Sequence, residues 1–191
     1  MVWADAAAPA SMDFALVIVG GKLKFNVGAP DSAVTGLSNV ATGRWMHIAV
    51  TRRMSSGAVQ VFVNAKLEVT GTSNTVPLNS VPTLYLGGTP QGDLLLVGLM
   101  DELRLWGIVR TQAEIESAMH HHLVGDEPGL VGYYRFDDTS AAAFADSSPR
   151  ANTAFRGGLA VLVPSNAPLC EADATGGAGG ETSAGGTGLS L

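Results

Sequence analysis

The sequence predicts an all-β, antiparallel fold, and three observations carry that prediction. Between residues 43 and 69 the chain reads GRWMHIAVTRRMSSGAVQVFVNAKLEV, three short alternating segments at 45–51, 58–64 and 66–70. Ser55-Ser56-Gly57 and Asn64-Ala65 break them, and a period of two gives each strand one buried and one wet face, so they form a meander. Similar short runs recur along the chain with glycines or prolines between them. The 191 residues are 46% hydrophobic and only 15% charged, with a mean hydropathy of +0.23, which suits one sizeable core between two sheets.

The elements follow in order. Residues 1–13 read as a loose, Ala-rich lead-in. Phe14–Val19 and Lys22–Val27 form a hairpin around Gly20-Gly21, with Leu23, Phe25 and Val27 on one face. A short strand is expected at 34–40, then the meander, then strands at 81–87 and 94–106, the latter divided at Gly98. Pro82 confines its strand to a start or an edge. Thr111-Gln112-Ala113-Glu114 is a capping box, so a helix begins there, turns Ile115, Ala118 and Met119 inward, and ends near His122 or Gly125. Strands are expected again at 129–136 and 155–163. From 170 to 191 the chain is dominated by Gly, Ser, Thr and Ala, which cannot bury enough apolar surface to offset its ordering entropy, so it reads as a flexible tail or linker. The apolar runs are too short to span a bilayer, and the start lacks the basic residues of a signal peptide.

Charge and cysteine narrow the function classes. A net charge of −6 repels a phosphate backbone, so no nucleic-acid partner is expected. Cys170 is the single cysteine, which excludes an internal disulfide and a thiolate metal cluster; beside the tail it is expected to be exposed. No glycine-rich run is followed by Gly-Lys-Ser/Thr, so there is no phosphate loop.

Several pieces taken in order resemble the laminin-G-like, concanavalin-A-like jelly roll in its bacterial LamG, pentraxin-related form. They are GRWMHIAVT at 43–51, the strand pair at 59–69, LYLG at 84–87, GLMDELRLW at 98–106 and the helix carrying Glu114-Ile115. The resemblance covers residues 14–169. It implies an antiparallel two-sheet jelly-roll sandwich with one short helix and a disordered C-terminal tail. It also implies a non-catalytic binding or adhesion module of a secreted or surface protein, taking a glycan or extracellular protein ligand. GLVGYYRFDD at 129–138, with Asp146-Ser147-Ser148, looks like the opening strand of such a domain displaced to its end. Either it completes the sheet from the C-terminal side, or the chain is a piece of a tandem array. Asn64-Ala65 replaces the Asp-Gly or Asn-Gly turn of the family, costing about 1 kcal/mol if Ala65 takes a positive φ.

The candidate residues follow from chemistry. Jelly-roll glycosidases set two carboxylates on one strand face, which needs a spacing of two. Asp101 and Glu102 are adjacent and Leu103 fills the next position on Asp101's face, so a glycoside hydrolase is the weaker alternative; a structural spacer is a third. The resemblance offers Asp101 as a ligand to a structural Ca²⁺, which needs six to eight oxygens. The plainer reading pairs Asp101 with Arg104 or a backbone N–H. Asp93, Asp137, Asp138 and Asp146 are weaker calcium candidates. His120, His121 and His122 fan out by 100° each, which suits a solvated helix end better than a metal site. His47 reads as a packed or edge histidine. Among aromatics, Trp45, Trp106 and Phe136 are expected in the core, and Tyr85 and Tyr133 are the expected exposed pair that contacts ligand.

Overall fold

The computed structural model describes residues 2–5, 14–28, 32–77, 83–88, 92, 95–137, 142–157, 160–170 and 189–190. The fold is antiparallel β with a single helix among the described residues, as expected. Two compact units form: one from Met1–Thr42 with Ile48–Gly98, the other from Gly43–His47 with Leu99–Leu191.

The first unit holds two sheets. One has five strands in the order β4-β3-β2-β1-β8, namely Ser32–Thr35, Lys22–Val27, Phe14–Val19, Trp3–Asp5 and Leu84–Leu86. The other is the meander β5-β6-β7, Ile48–Arg53, Ala58–Val63 and Lys66–Thr72. Alternation holds in β3, but β2 and β6 bury residues on both faces, Ala15 beside Leu16 and Phe62 beside Val61 and Val63. Leu16, Leu23, Phe25, Val27 and Val34 are buried on one face of the larger sheet, and Ile48, Val59, Val61 and Val63 in the smaller. The two sheets meet where β4 crosses β7: a Cβ at Gly71 would stand 2.5 Å from Val34 Cγ2, so only glycine fits. Asn64 and Ala65 both take positive φ, 49° and 58°. That is the primed hairpin turn, which matches strand twist, and Ala65 bears its strain while 2% exposed.

Several boundaries differ from expectation, and β5 runs 48–53 rather than the expected 45–51. The lead-in contains β1, which lies between β2 and β8 with Trp3 opposite Leu16 and Leu86. An isolated WAD triplet has too little periodicity to reveal itself. The strand expected at 34–40 is β4, ending at Thr35.

In the second unit, β9 (Met100–Asp101) and β10 (Leu103–Trp106) are divided at Glu102, which takes φ 53°, rather than at Gly98. Helix α1 spans Gln112–Ala118 with both halves of the capping box made, and it ends one turn before His122. β11 (Leu130–Tyr134) pairs antiparallel with β10 in a two-stranded sheet. β12 (Ala143–Phe144) and β13 (Ala154–Phe155) form a short ladder, and residues 160–163 carry no strand. β14 (Leu189–Ser190) lies parallel to β9; the rest of the expected tail, 171–188, is outside the described residues. Leu103, Ile115, Leu130, Tyr133, Tyr134 and Phe144 are buried here. Phe136 is only half-buried, stacked on Tyr134 at 6.3 Å and edge-on to Phe144 at 5.1 Å. Trp45 and Trp106 are likewise half-buried rather than core residues.

Candidate functional site

The acidic pair to which the sequence points lies in the second unit and is turned inward. The left-handed backbone at Glu102 breaks strict alternation, so both carboxylates are buried, Asp101 at 3% and Glu102 at 1% exposure. Glu102 Oε2 accepts from Arg104 Nη2 at 2.8 Å and from the Tyr133 hydroxyl at 2.7 Å, and Oε1 meets His122 Nδ1 at 2.9 Å. Arg104 extends the network to the helix end, donating to the carbonyls of Ala118 at 2.8 Å and His121 at 2.5 Å. Its guanidinium also stands 5.7 Å from the Tyr133 ring centroid. One buried ion pair therefore ties β10, the helix terminus and β11 together.

Asp101 pairs with a backbone N–H, that of Glu102 at 2.9 Å, and with the Ser165 hydroxyl, not with Arg104. Burial raises its pKa despite those two donors. Both of its carboxylate oxygens are engaged, and among the described residues no three His, Cys, Asp or Glu side chains gather as metal ligands. Asp146 caps a loop instead, accepting from the N–H groups of Tyr133 and Ser148 at 2.8 Å and of Asn152 at 3.0 Å. Burial alone would raise its pKa, but these donors outweigh burial and hold it down. Asp137 pairs with Arg135 at 2.9 Å; Asp93 and Asp138 lie outside the described residues.

Two expectations are corrected here. Tyr133 is not an exposed ligand contact: it is fully buried, and burial and then Glu102 push its hydroxyl pKa up. The histidine run is not simply solvated, because His122 belongs to the ion-pair network and His120 Nδ1 meets the Pro168 carbonyl at 3.0 Å. Glu102 and Arg104 share an i, i+2 relation that is visible in the sequence; their buried partners come from later elements, which strand periodicity does not locate. Cys170 is exposed, as expected.

His47 gives this unit a pH dependence. Burial, then Arg104, then His120 lower its pKa from 6.5 to about 4. A histidine depressed in the fold favours the folded state fully above 6.5 and progressively less as pH falls toward 4. Asp101, with its raised pKa, works the other way. Unfolding by urea at pH 7 and pH 4.5 is therefore expected to show a larger acid loss in wild type than in His47→Gln. Equal losses would refute the assignment.

The other candidate is the outer face of the five-stranded sheet. Register aligns Tyr85, Ala4, Ala15, Asn26 and Ala33 in one row, and Val17, Lys24 and Thr35 in a second. These positions alternate with the set Leu16, Leu23, Phe25, Val27 and Val34 and so lie on the opposite face of the sheet, where Ala15 is itself only 1% exposed. Tyr85 and Val17 pack on Ala15. Tyr85, Lys24 and Asn26 are half-buried, while Thr35 is exposed. The face thus offers an aromatic ring, an amide, an amine and a hydroxyl.

Two solved structures resemble this chain. A candidate carbohydrate binding protein from Bacteroides ovatus ATCC 8483 matches with a TM-score of 0.57 at 20% identity, over 81% of this chain and 50% of that one. An S-layer domain-containing protein from Clostridium thermocellum ATCC 27405 matches at 21% identity over 51% of each chain, with a TM-score of only 0.37. The chain spans about half the length of each. The first likeness shows the fold; the second carries no argument. The family model of the concanavalin A-like lectin/glucanases superfamily, in its laminin G form, matches residues 4–116, more than half the sequence, and the chain belongs to that superfamily.

Proposed function

We propose that this chain is a non-catalytic glycan-binding module of a secreted or cell-surface protein, and that Tyr85 contacts the ligand. The observation that carries the reading is the outer face of the five-stranded sheet. A half-buried ring on the same sheet face as an amide and an amine three strands away and a hydroxyl four strands away is chemistry that recognises an extended sugar chain, by stacking on C–H faces and hydrogen-bonding hydroxyls. The candidate carbohydrate binding protein of like fold agrees with it. The superfamily includes glucanases, but Asp101 and Glu102 are buried and their oxygens already bonded, so neither is placed to protonate a glycosidic oxygen or attack a sugar. Calcium has no part in this reading.

Tyr85→Ala is expected to weaken glycan retention on affinity gels about tenfold, in line with the roughly 1–2 kcal/mol a stacking contact supplies; because the ring also packs on Ala15, the unfolding midpoint falls too, and retention is compared well below it. A glycan array without a single hit would remove the reading; hits unaffected by Tyr85→Ala would move the site elsewhere.

A further inference from the structure

After β13, residues 160–170 carry no strand and cross the second unit as a strap held by polar contacts. The Ser165 hydroxyl donates to Asp101 Oδ2. The Asn166 amide oxygen accepts from Trp45 Nε1 at 2.8 Å, and the Pro168 carbonyl meets His120 Nδ1 at 3.0 Å. Cys170 bridges His121, and its N–H donates to the His120 carbonyl at 2.6 Å. Apolar burial adds little: Ser165, Asn166, Pro168 and Cys170 are exposed, and Ala167 and Leu169 are only half-buried. A segment held this way opens at a lower free energy than the packed core beside it.

What the strap meets is a compact set of ligand-binding groups. Strap positions 165, 166 and 168 span at most about 11 Å, and their partners are a carboxylate, an indole and an imidazole. Asp101 is 3% exposed, while Trp45 is half-buried and His120 is exposed. Each partner is satisfied by a group with a saccharide counterpart: a hydroxyl on the carboxylate, and carbonyl oxygens on the two ring nitrogens. A hydroxyl both donates and accepts, so sugar hydroxyls can replace all three, and the C–H face of a sugar ring can stack on Trp45. Opening the strap frees Asp101 Oδ2 and leaves the core network whole. Oδ1 keeps the Glu102 N–H, and Glu102 keeps Arg104, Tyr133 and His122.

We propose that Asp101, Trp45 and His120 form a saccharide site of the second unit, separate from Tyr85 in the first, and that Ser165, Asn166 and Pro168 occupy it as an internal stand-in which the saccharide displaces. The occupant is a neutral saccharide, since a carboxylate accepts from hydroxyls and repels an anion. The saccharide is bound and not cleaved. Glu102 stays in its ion pair, and Asp101 alone does not supply the two carboxylates that glycoside hydrolysis needs. A closed strap lowers the apparent affinity by the fraction of molecules that are open. Loosening it therefore tightens binding, the opposite sign to the loss of an ordinary contact.

The test is calorimetry on the full chain with cellohexaose, maltohexaose and mannohexaose, and with polygalacturonate as the anionic comparison. Binding of a neutral oligosaccharide is expected. Ser165→Ala and Asn166→Ala should each tighten it about three- to tenfold, the size of one net hydrogen bond. Asp101→Asn should weaken it by a similar factor, and Ser117→Ala on the helix should change nothing. Saturating sugar should speed amide exchange at Cys170, whose N–H closes the strap, and leave Leu103 and Leu105 as they were. Binding that tightens in neither strap variant overturns the stand-in role, and preference for polygalacturonate overturns the neutral class. Binding abolished by Tyr85→Ala and untouched by Asp101→Asn overturns this site while leaving the glycan reading above. If wild type and both strap variants bind none of the oligosaccharides, the site is overturned, and a blank glycan array removes the glycan reading with it. Circular dichroism separates lost binding from unfolding in Asp101→Asn; the strap variants replace exposed side chains and carry the test on their own.

Discussion

Glu102→Ala is expected to destabilise the protein by about 3–5 kcal/mol, the usual consequence of removing one partner of a buried ion pair. The substitution leaves the Arg104 side chain, 7% exposed, without its carboxylate. It also strips the Tyr133 hydroxyl of its acceptor and His122 of its partner. Since domains are stable by only about 5–15 kcal/mol, such a loss removes roughly a fifth or more of the total. Glu102 also occupies φ 53°, which sharpens the test. A residue present only for its backbone would be improved by glycine, which relieves about 1 kcal/mol of left-handed strain. Here Glu102→Gly should be nearly as damaging as Glu102→Ala, because the carboxylate outweighs the strain. Glu102→Gln, which keeps shape and one acceptor, should lie between. Urea unfolding followed by tryptophan fluorescence measures all three, and a Gly variant more stable than wild type would overturn the role given to the carboxylate.

The strained Glu102 also marks how far the sequence could be read. Alternation located β2 and β3 to the residue and β6 and β7 to within two, while β5 begins three residues later than its pattern predicts. The capping box at Thr111 placed the helix start, since its two hydrogen bonds are local. What could not be read depends on partners distant in the chain. β1 has three residues, and only its neighbours β2 and β8 make it a strand. Tyr133 looked exposed because Tyr133-Tyr134 alternate, so one should face water; both are buried, because Glu102 receives one hydroxyl and the Asn152 carbonyl the other. The outer face is the converse case. Once Leu23, Phe25 and Val27 are assigned inward, Lys24 and Asn26 are outward by parity, yet nothing local to β3 places them in rows that run to Tyr85 on β8.

A chain ending at Pro128 is expected to lose the cooperative unfolding of the second unit altogether, although it retains all of the family-matched stretch 4–116. Four of the buried side chains of that unit, Leu130, Tyr133, Tyr134 and Phe144, lie beyond the cut. At about 1.5–3 kcal/mol for each large apolar side chain, they supply roughly 6–12 kcal/mol, comparable with the whole stability of a small domain. The cut also leaves β10 without its ladder partner, Glu102 without Tyr133, Asp101 without Ser165 and Trp45 without the Asn166 amide oxygen at 2.8 Å. An exposed β10 edge with buried-type residues on it invites aggregation, so low solubility should accompany the loss. Near-ultraviolet circular dichroism and amide exchange at Leu103 and Leu105 report on the unit directly. If the shortened chain kept those amides protected as in the full protein, the late strand would be an appendage to the fold. Protection lost in the shortened chain and retained in the full one would make residues 129–157 a structural part of the module, supplying from its C-terminal side the partner that β10 requires.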